Sequence, residues 1–397
     1  MLTPYRWLLF FAGWIILCIP EFLKVYYIMP LPGSQEADTI ELAYFINNGI
    51  WLTRILGIPL LLASLYALFK NEKNAGKIAA GFFVLLAGAI IYLTNFVMLA
   101  EKMFLQPQTK FFASTAENKI PEDALVICIE QGSEAKAYPI QLMGYHHQVR
   151  DTVGGVEVMV TYCTVCRTGR IYSPFVDGKP EEFRLVGMDH FNALFEDKTT
   201  KSWWRQATGE AIAGSKKGVR LPEIPSQQMS LKAWLELHPQ SLILQPDKAF
   251  ENEYAGLTGY DKGEINSGLV GTNKSSWEKK SWVIGIDVEG ISAAYDWNAL
   301  KEKKIIQDTL GNLAVAIVLG DDGQTFFTWN RKLNGETLNF NSDTLNLLAD
   351  DKTHSLWTKA GECVSGELVG NKMKPVQSYQ EFWHSWQTFH PGTRKAE

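Results

Sequence analysis

Up to about residue 100 the chain is written in long apolar runs; beyond it, short alternations of apolar and polar residues take over. Three runs reach the ~20 mostly apolar residues that a bilayer-spanning helix needs. Ile78 to Ala100, "IAAGFFVLLAGAIIYLTNFVMLA", carries no charge. Ile50 to Phe69 carries Arg54 near its start, where a long side chain snorkels to the interface. Trp7 to Met29 is interrupted by Glu21 and Lys24, three apart and able to pair on one helix face, with Pro20 as an alternative end to the span. No small-x-small cleavage pattern follows that first apolar core, so the pattern predicts an uncleaved anchor rather than a signal peptide.

The polar residues between the runs set an orientation. The loop "KNEKNAGK" carries Lys70, Lys73 and Lys77, whereas "PLPGSQEADTIELAYFINNG" has acids and no Lys or Arg. The positive-inside rule then places the N-terminus and the lysine loop in the cytoplasm. Three spans deliver everything after Ala100 to the far side. In a bacterium this means an inner-membrane anchor with a periplasmic or extracellular region, in a compartment that oxidises thiols.

The outer part is self-similar. "DALVICIEQGSEAKAYPIQLMGYHHQVRDTVGGVEVMV" matches "KSWVIGIDVEGISAAYDWNALKEKKIIQDTLGNLAVAI" at an offset of 157, pairing Ile127 with Ile284, Tyr138 with Tyr295, Asp151 with Asp308, Thr152 with Thr309 and Gly154 with Gly311. Further on, "SWWRQATGEAIAG" echoes "SLWTKAGECVSG", pairing Trp204 with Trp357, Gly209 with Gly361, Glu210 with Glu362 and Gly214 with Gly366. Both copies end in a Trp…His-Pro motif, Trp234/His238/Pro239 and Trp386/His390/Pro391. Within each copy, runs such as "VEVMVTY", "GRIYSPF" and "AVAIVLG", broken by Gly, Asp and Asn, read as strands. "SLKAWLELHP" and "SYQEFWHSWQTFHP" read as Ser-capped helices stopped by Pro. The predicted architecture is a membrane-anchored α+β chain: a three-helix anchor over 1–110, a β-rich repeat over 111–250, a linker over 251–280, and a second, degenerate repeat over 281–397.

Composition adds exclusions. Hydrophobic residues make up 46% of the 397, charged residues 20%, and the net charge is −5, so no basic stripe points to nucleic acid. Neither a Walker-type phosphate loop nor a Gly-x-Ser-x-Gly elbow occurs, which leaves nucleotide and hydrolase readings without support. The sequence names no protein partner; the bilayer is the one it implies.

Comparison of the copies isolates candidate chemistry. Positions held in both are structural in this reading: turns, caps and core residues. Cys163 and Cys166 face Gly320 and Gly323, and His146 and His147 face Lys303 and Lys304, so a Cys-x-x-Cys and a His-His belong to the first copy alone. "PIQLMGYHHQVRDTVGGVEVMVTYCTVCRTGRIY" and "LFEDKTTKSWWRQATGEAIAGSKKGVRLPEIP" resemble the bacterial domain-of-unknown-function family 3179, over roughly residues 115 to 247 and more weakly over the second copy. The resemblance places the family's His on His146 and its cysteines on Cys163 and Cys166. Thr164 stands where that family has Pro, Arg167 where it has a small residue, and "DHFNALF" where many members have Asn-Ser-Asp. It implies no activity.

Four readings of the pair stay open. As a metal centre, two thiolates on a tight turn suit copper(I) or zinc, with a strand-borne His146 as third ligand and His147 and His190 as candidates for the next place; Met188 would favour copper. As a thiol redox pair, the compartment fits, but the strand-like "TGRIYSPF" after Cys166 lacks the helix N-terminus that lowers a thiol pKa. As a staple, so short a loop gives little stabilisation. As part of a ligand-binding module, the aromatic segments line a cleft. Were the centre catalytic, Tyr162 and the region of His190 would contact substrate.

Overall fold

The computed structural model describes residues 5–343 and 346–396, which form two units. The first contains residues up to 105, 176–205 and 209–220; the second contains 106–175, 206–208 and 221–396.

In the first unit the three apolar runs are helices α1 (Arg6–Tyr26), α2 (Ile40–Asn71) and α3 (Asn74–Tyr92), the last extended by a π-helical turn over Leu93–Val97. Each is long and apolar enough to cross a membrane. Pro20 does not end the first helix, which continues two turns past it, and Glu21 pairs with Lys24 at 2.6 Å as the three-residue spacing allows. Residues 183–205 and 209–213 join these helices as an antiparallel sheet of Phe183–Asp189, Asn192–Asp197, Trp203–Arg205 and Ala211–Ala213. The reason is apolar: Val186, Leu194, Trp203 and Ile212 share one core with Val25, Ile28, Ile40 and Ala43. A stretch that the sequence assigns to the first repeat thus groups with the helices.

The second unit carries the same succession of elements twice. Strands Leu125–Gln131 and Glu134–Pro139, helix Ile140–His146, and strands Gln148–Val153, Val156–Cys163 and Thr168–Tyr172 come first. Trp282–Val288, Ile291–Asp296, helix Trp297–Lys303, Ile305–Leu310, Leu313–Leu319 and Phe326–Asn330 follow in the same order. Local details recur with them. Each helix ends in a left-handed residue, His147 (φ 60°) and Lys304 (φ 66°). Tyr138 donates to Asp151 at 2.6 Å and Tyr295 to Asp308 at 2.8 Å. Each hairpin turns on a positive-φ glycine, and at Gly154 a Cβ would stand 2.1 Å from the Gln131 carbonyl oxygen, so no other residue fits.

The helical endings differ. Ser230 caps Leu231–Leu237 by accepting from the Ala233 N–H, as its sequence predicts. Ser378 does not cap its counterpart: the residues after it form the strand Tyr379–Phe382, and helix Trp383–Phe389 starts without a side-chain cap. That strand pairs with Trp282–Val288, and strand pairing overrides the local capping signal.

Candidate dithiol site

The strand Val156–Cys163 delivers Cys163 to the edge of a turn, and Thr168, opposite it in the ladder, opens the return strand. Arg167 closes the turn with φ 56°. Both cysteines are buried, Cys163 at 1% exposure and Cys166 at 0%. The Cys163 thiol and the Ser385 hydroxyl are the polar neighbours of the Cys166 thiol. Burial, reinforced by Cys163, pushes the Cys166 thiol well above its ordinary range. No cysteine among the described residues is joined in a disulfide.

Lys280, Phe382 and His384 cover this turn. Lys280 donates to the carbonyl of Val165 at 2.5 Å and to that of Leu269 at 2.7 Å. Burial pulls its ammonium down to about 8, against the thiols, which favour the charged form. His384 Nε2 lies 3.0 Å from the same Val165 carbonyl, and burial holds the imidazole down to about 4, so it is neutral and donates through Nε2. The Phe382 N–H donates to the Cys166 carbonyl at 3.0 Å. Ser385 also donates to Glu381 at 3.0 Å, and Glu381 is paired with Arg170, whose guanidinium stacks 3.3 Å over Tyr379.

Arg167, fully buried, locks the other flank. It donates to the Tyr260 carbonyl at 3.2 Å, to the Asp261 carbonyl at 2.5 Å and to Gln380, and stacks 3.6 Å over Trp282. The Tyr260 hydroxyl donates to the Thr164 carbonyl at 2.7 Å. The 251–280 segment, which the sequence presents as a linker, therefore supplies Tyr260, Asp261 and Lys280 to the turn.

The sequence-predicted residues fall in three places. Cys163, Cys166 and Tyr162 are together; Tyr162 donates to the Tyr260 hydroxyl at 3.4 Å, and burial pushes its own phenol up to about 12. His146 is the last residue of a helix, not strand-borne, and its Nε2 lies 2.6 Å from the Tyr254 hydroxyl within a ring cluster of Tyr145, Phe250 and Tyr254. The left-handed His147 ends that helix with its N–H on the Met143 carbonyl, and burial brings its imidazole down to about 4. His190 and Met188 belong to the first unit. There His190 occupies a two-residue hairpin turn and donates from Nδ1 to Asp189 at 2.7 Å, while Arg205 holds the other carboxylate oxygen at 2.7 Å. The Asp189 bond raises the His190 imidazole above its usual range.

Among the described residues no three His, Cys, Asp or Glu side chains are grouped to hold a metal ion. The arrangement offers two neighbouring thiols, a neutral imidazole and an ammonium. Lys280, His384 and Ser385 escape a sequence reading that looks for ligands only in the copy bearing the cysteines; the His in "FWHSWQ" is the one visible signal. No curated protein and no solved structure matches the chain. The profile of the family described as "Protein of unknown function (DUF3179)" matches residues 106–393, and the chain belongs to that family.

Proposed function

We propose that this protein is a membrane-anchored holder of copper(I), gripped by the Cys163 and Cys166 thiolates with Lys280 as counter-charge. The observation that carries the reading is the donor set: two soft thiols in contact with each other and a buried ammonium interacting with both. Soft thiolates select copper(I), which two donors satisfy, whereas zinc asks for four. Charge balances as well. Two thiols release two protons on taking up the ion; the resulting centre carries one negative charge, which Lys280 offsets. Bound there, the ion supplies a store of soft metal rather than an open coordination position.

The anchor is α1 to α3, with the lysine loop cytoplasmic and the dithiol beyond the bacterial inner membrane; the Lys70, Lys73 and Lys77 bias supports that orientation. Mass-spectrometric metal content of the full chain, loaded with copper(I) under reducing conditions, tests the centre. One copper per chain is expected, lost in Cys163→Ser; equal copper in that variant, or none in the wild type, overturns it.

A thiol–disulfide couple is the second reading, favoured by the contact between the thiols. It ranks lower because Lys280, His384 and Phe382 cover the turn, and burial raises the thiol that must ionise to react. A metal-free protein whose two thiols oxidise and reduce reversibly would establish it.

A further inference from the structure

Inside the helical bundle, Glu21 of α1 is completely buried and faces two cations, Lys24 Nζ at 2.6 Å and Arg54 Nε at 2.6 Å. The π-helical turn after α3 brings in Asn95, whose Oδ1 accepts from Lys24 at 2.5 Å and from Arg54 Nη2 at 2.7 Å. Its Nδ2 donates to Glu21 at 2.9 Å and to the Ile91 carbonyl at 2.8 Å. Thr94 adds a longer bond to Glu21 at 3.4 Å. A widened turn of this kind in a helix is uncommon and concentrates at functional sites.

Charge does not balance here. Among the described residues Glu21 is the one carboxylate paired with the two cations, so the cluster carries one net positive charge. Such a charge is expensive in hydrocarbon unless an anion meets it. The excess reaches the surface at Arg54, whose side chain is 37% exposed, while that of Lys24 is buried. Arg54 commits Nε to Glu21 and Nη2 to Asn95, and its Nη1 has no acceptor among the described residues.

Depth selects the anion. Counting helical rise from the Lys70–Lys77 end, Glu21, Lys24, Arg54 and Asn95 lie about 21 to 27 Å up a hydrocarbon layer of about 30 Å. Trp51, 55% exposed on α2, stands one turn further out, where aromatic side chains mark the interface. An arginine side chain at Arg54's level reaches the phosphate layer of the leaflet opposite the lysine loop. We infer that Arg54, held by Glu21 and Asn95 and backed by Lys24, is a binding site for a phosphodiester, supplied by a phospholipid headgroup of that leaflet. The inference rests on the helices crossing a membrane.

Native mass spectrometry of the full chain released from detergent, with phosphatidylglycerol as probe, tests it. One retained phosphatidylglycerol per chain is expected, displaced by neither a diacylglycerol of the same chains nor inorganic phosphate. Arg54→Gln should lower retention about tenfold, as for loss of one hydrogen bond to a charged group, and Arg54→Lys should restore part of it. Equal retention of the diacylglycerol by the wild type would overturn the site without any variant, and so would equal lipid on a folded Arg54→Gln. Displacement by inorganic phosphate would make the source a free anion and overturn the lipid assignment. A chain that stays in solution without detergent would fail the membrane reading itself, a separate outcome.

Discussion

Lys280 donates its ammonium to the Val165 carbonyl at 2.5 Å, and Val165 lies between Cys163 and Cys166 in the turn. The bond fixes a cation 115 residues further along the chain against the dithiol turn. Its hold on the proton is weakened, because burial brings the ammonium down to about 8 from an ordinary 10.5. The unfolded chain holds that proton up to about 10.5, so between about pH 8 and 10.5 it binds more protons than the folded chain. Stability therefore rises with pH across that window, by about 3 kcal/mol in total. Lys280→Met should erase the alkaline rise in urea midpoint, and on the copper reading should also weaken metal retention. An unchanged alkaline slope in the variant would show that Lys280 is not the buried base.

Arg167 is the second hold on the turn. It gives hydrogen bonds to two carbonyls and to Gln380 while stacking on Trp282. A lysine cannot reproduce both the planar fork and the stack. Arg167→Lys should therefore cost about 3 kcal/mol, comparable to losing one or two hydrogen bonds from a charged group in a buried place. Thermal unfolding of the full chain followed by tryptophan fluorescence would measure it, and a melting temperature within a degree of wild type would refute this role.

How far the sequence carries these arguments depends on the range of the interaction. The helices were legible because twenty apolar residues in succession need no knowledge of neighbours. The succession of strands was legible because each hairpin has its own turn, as at Gly154 and Gly311. The Cys163–Cys166 pair stood out through its absence at Gly320 and Gly323. What covers the pair was not legible: Lys280 and His384 reach Val165 from over a hundred residues away, and no local pattern encodes such a contact. His146 was misplaced for a related reason. "PIQLMGYHH" is too short to display helical periodicity, and the left-handed stop at His147 becomes visible only with backbone angles. The grouping of residues 183–205 and 209–213 with the apolar helices depends on Val186 and Ile212 meeting Ile28 and Ile40, a tertiary match that alternation within strands does not reveal.

Asp197 and Asp350 occupy matching turns, each gathering donors onto one carboxylate. Asp197 accepts from the Ser202 N–H at 3.1 Å and from Trp204 Nε1 at 2.9 Å; Asp350 accepts from the Ser355 N–H at 3.0 Å and from Trp357 Nε1 at 3.1 Å. Replacing either with Asn removes the charge and one acceptor oxygen, at a cost of about 1–3 kcal/mol. Asp197→Asn and Asp350→Asn should be penalised alike, each in the transition of its own unit in urea unfolding. A penalty in only one would mean that the resemblance of the two turns is of sequence and not of energetics.

Acid should weaken the second unit through two imidazoles. Burial brings His147 and His384 each to about 4, helped at His147 by the neighbouring His146 and at His384 by the charge of Lys280. In the unfolded chain both titrate near 6.5, so between about pH 6.5 and 4 the unfolded state binds up to two more protons. Stability rises with pH there and is lost as pH falls, at up to about 2.7 kcal/mol per pH unit for the pair. His384→Gln removes one of the two protons while keeping a donor near the Val165 carbonyl, so the acid slope of the urea midpoint between pH 6 and 5 should fall by about half this amount. If the variant keeps the full slope, His384 is already protonated in the folded protein, and the neutral imidazole beside the dithiol is wrong.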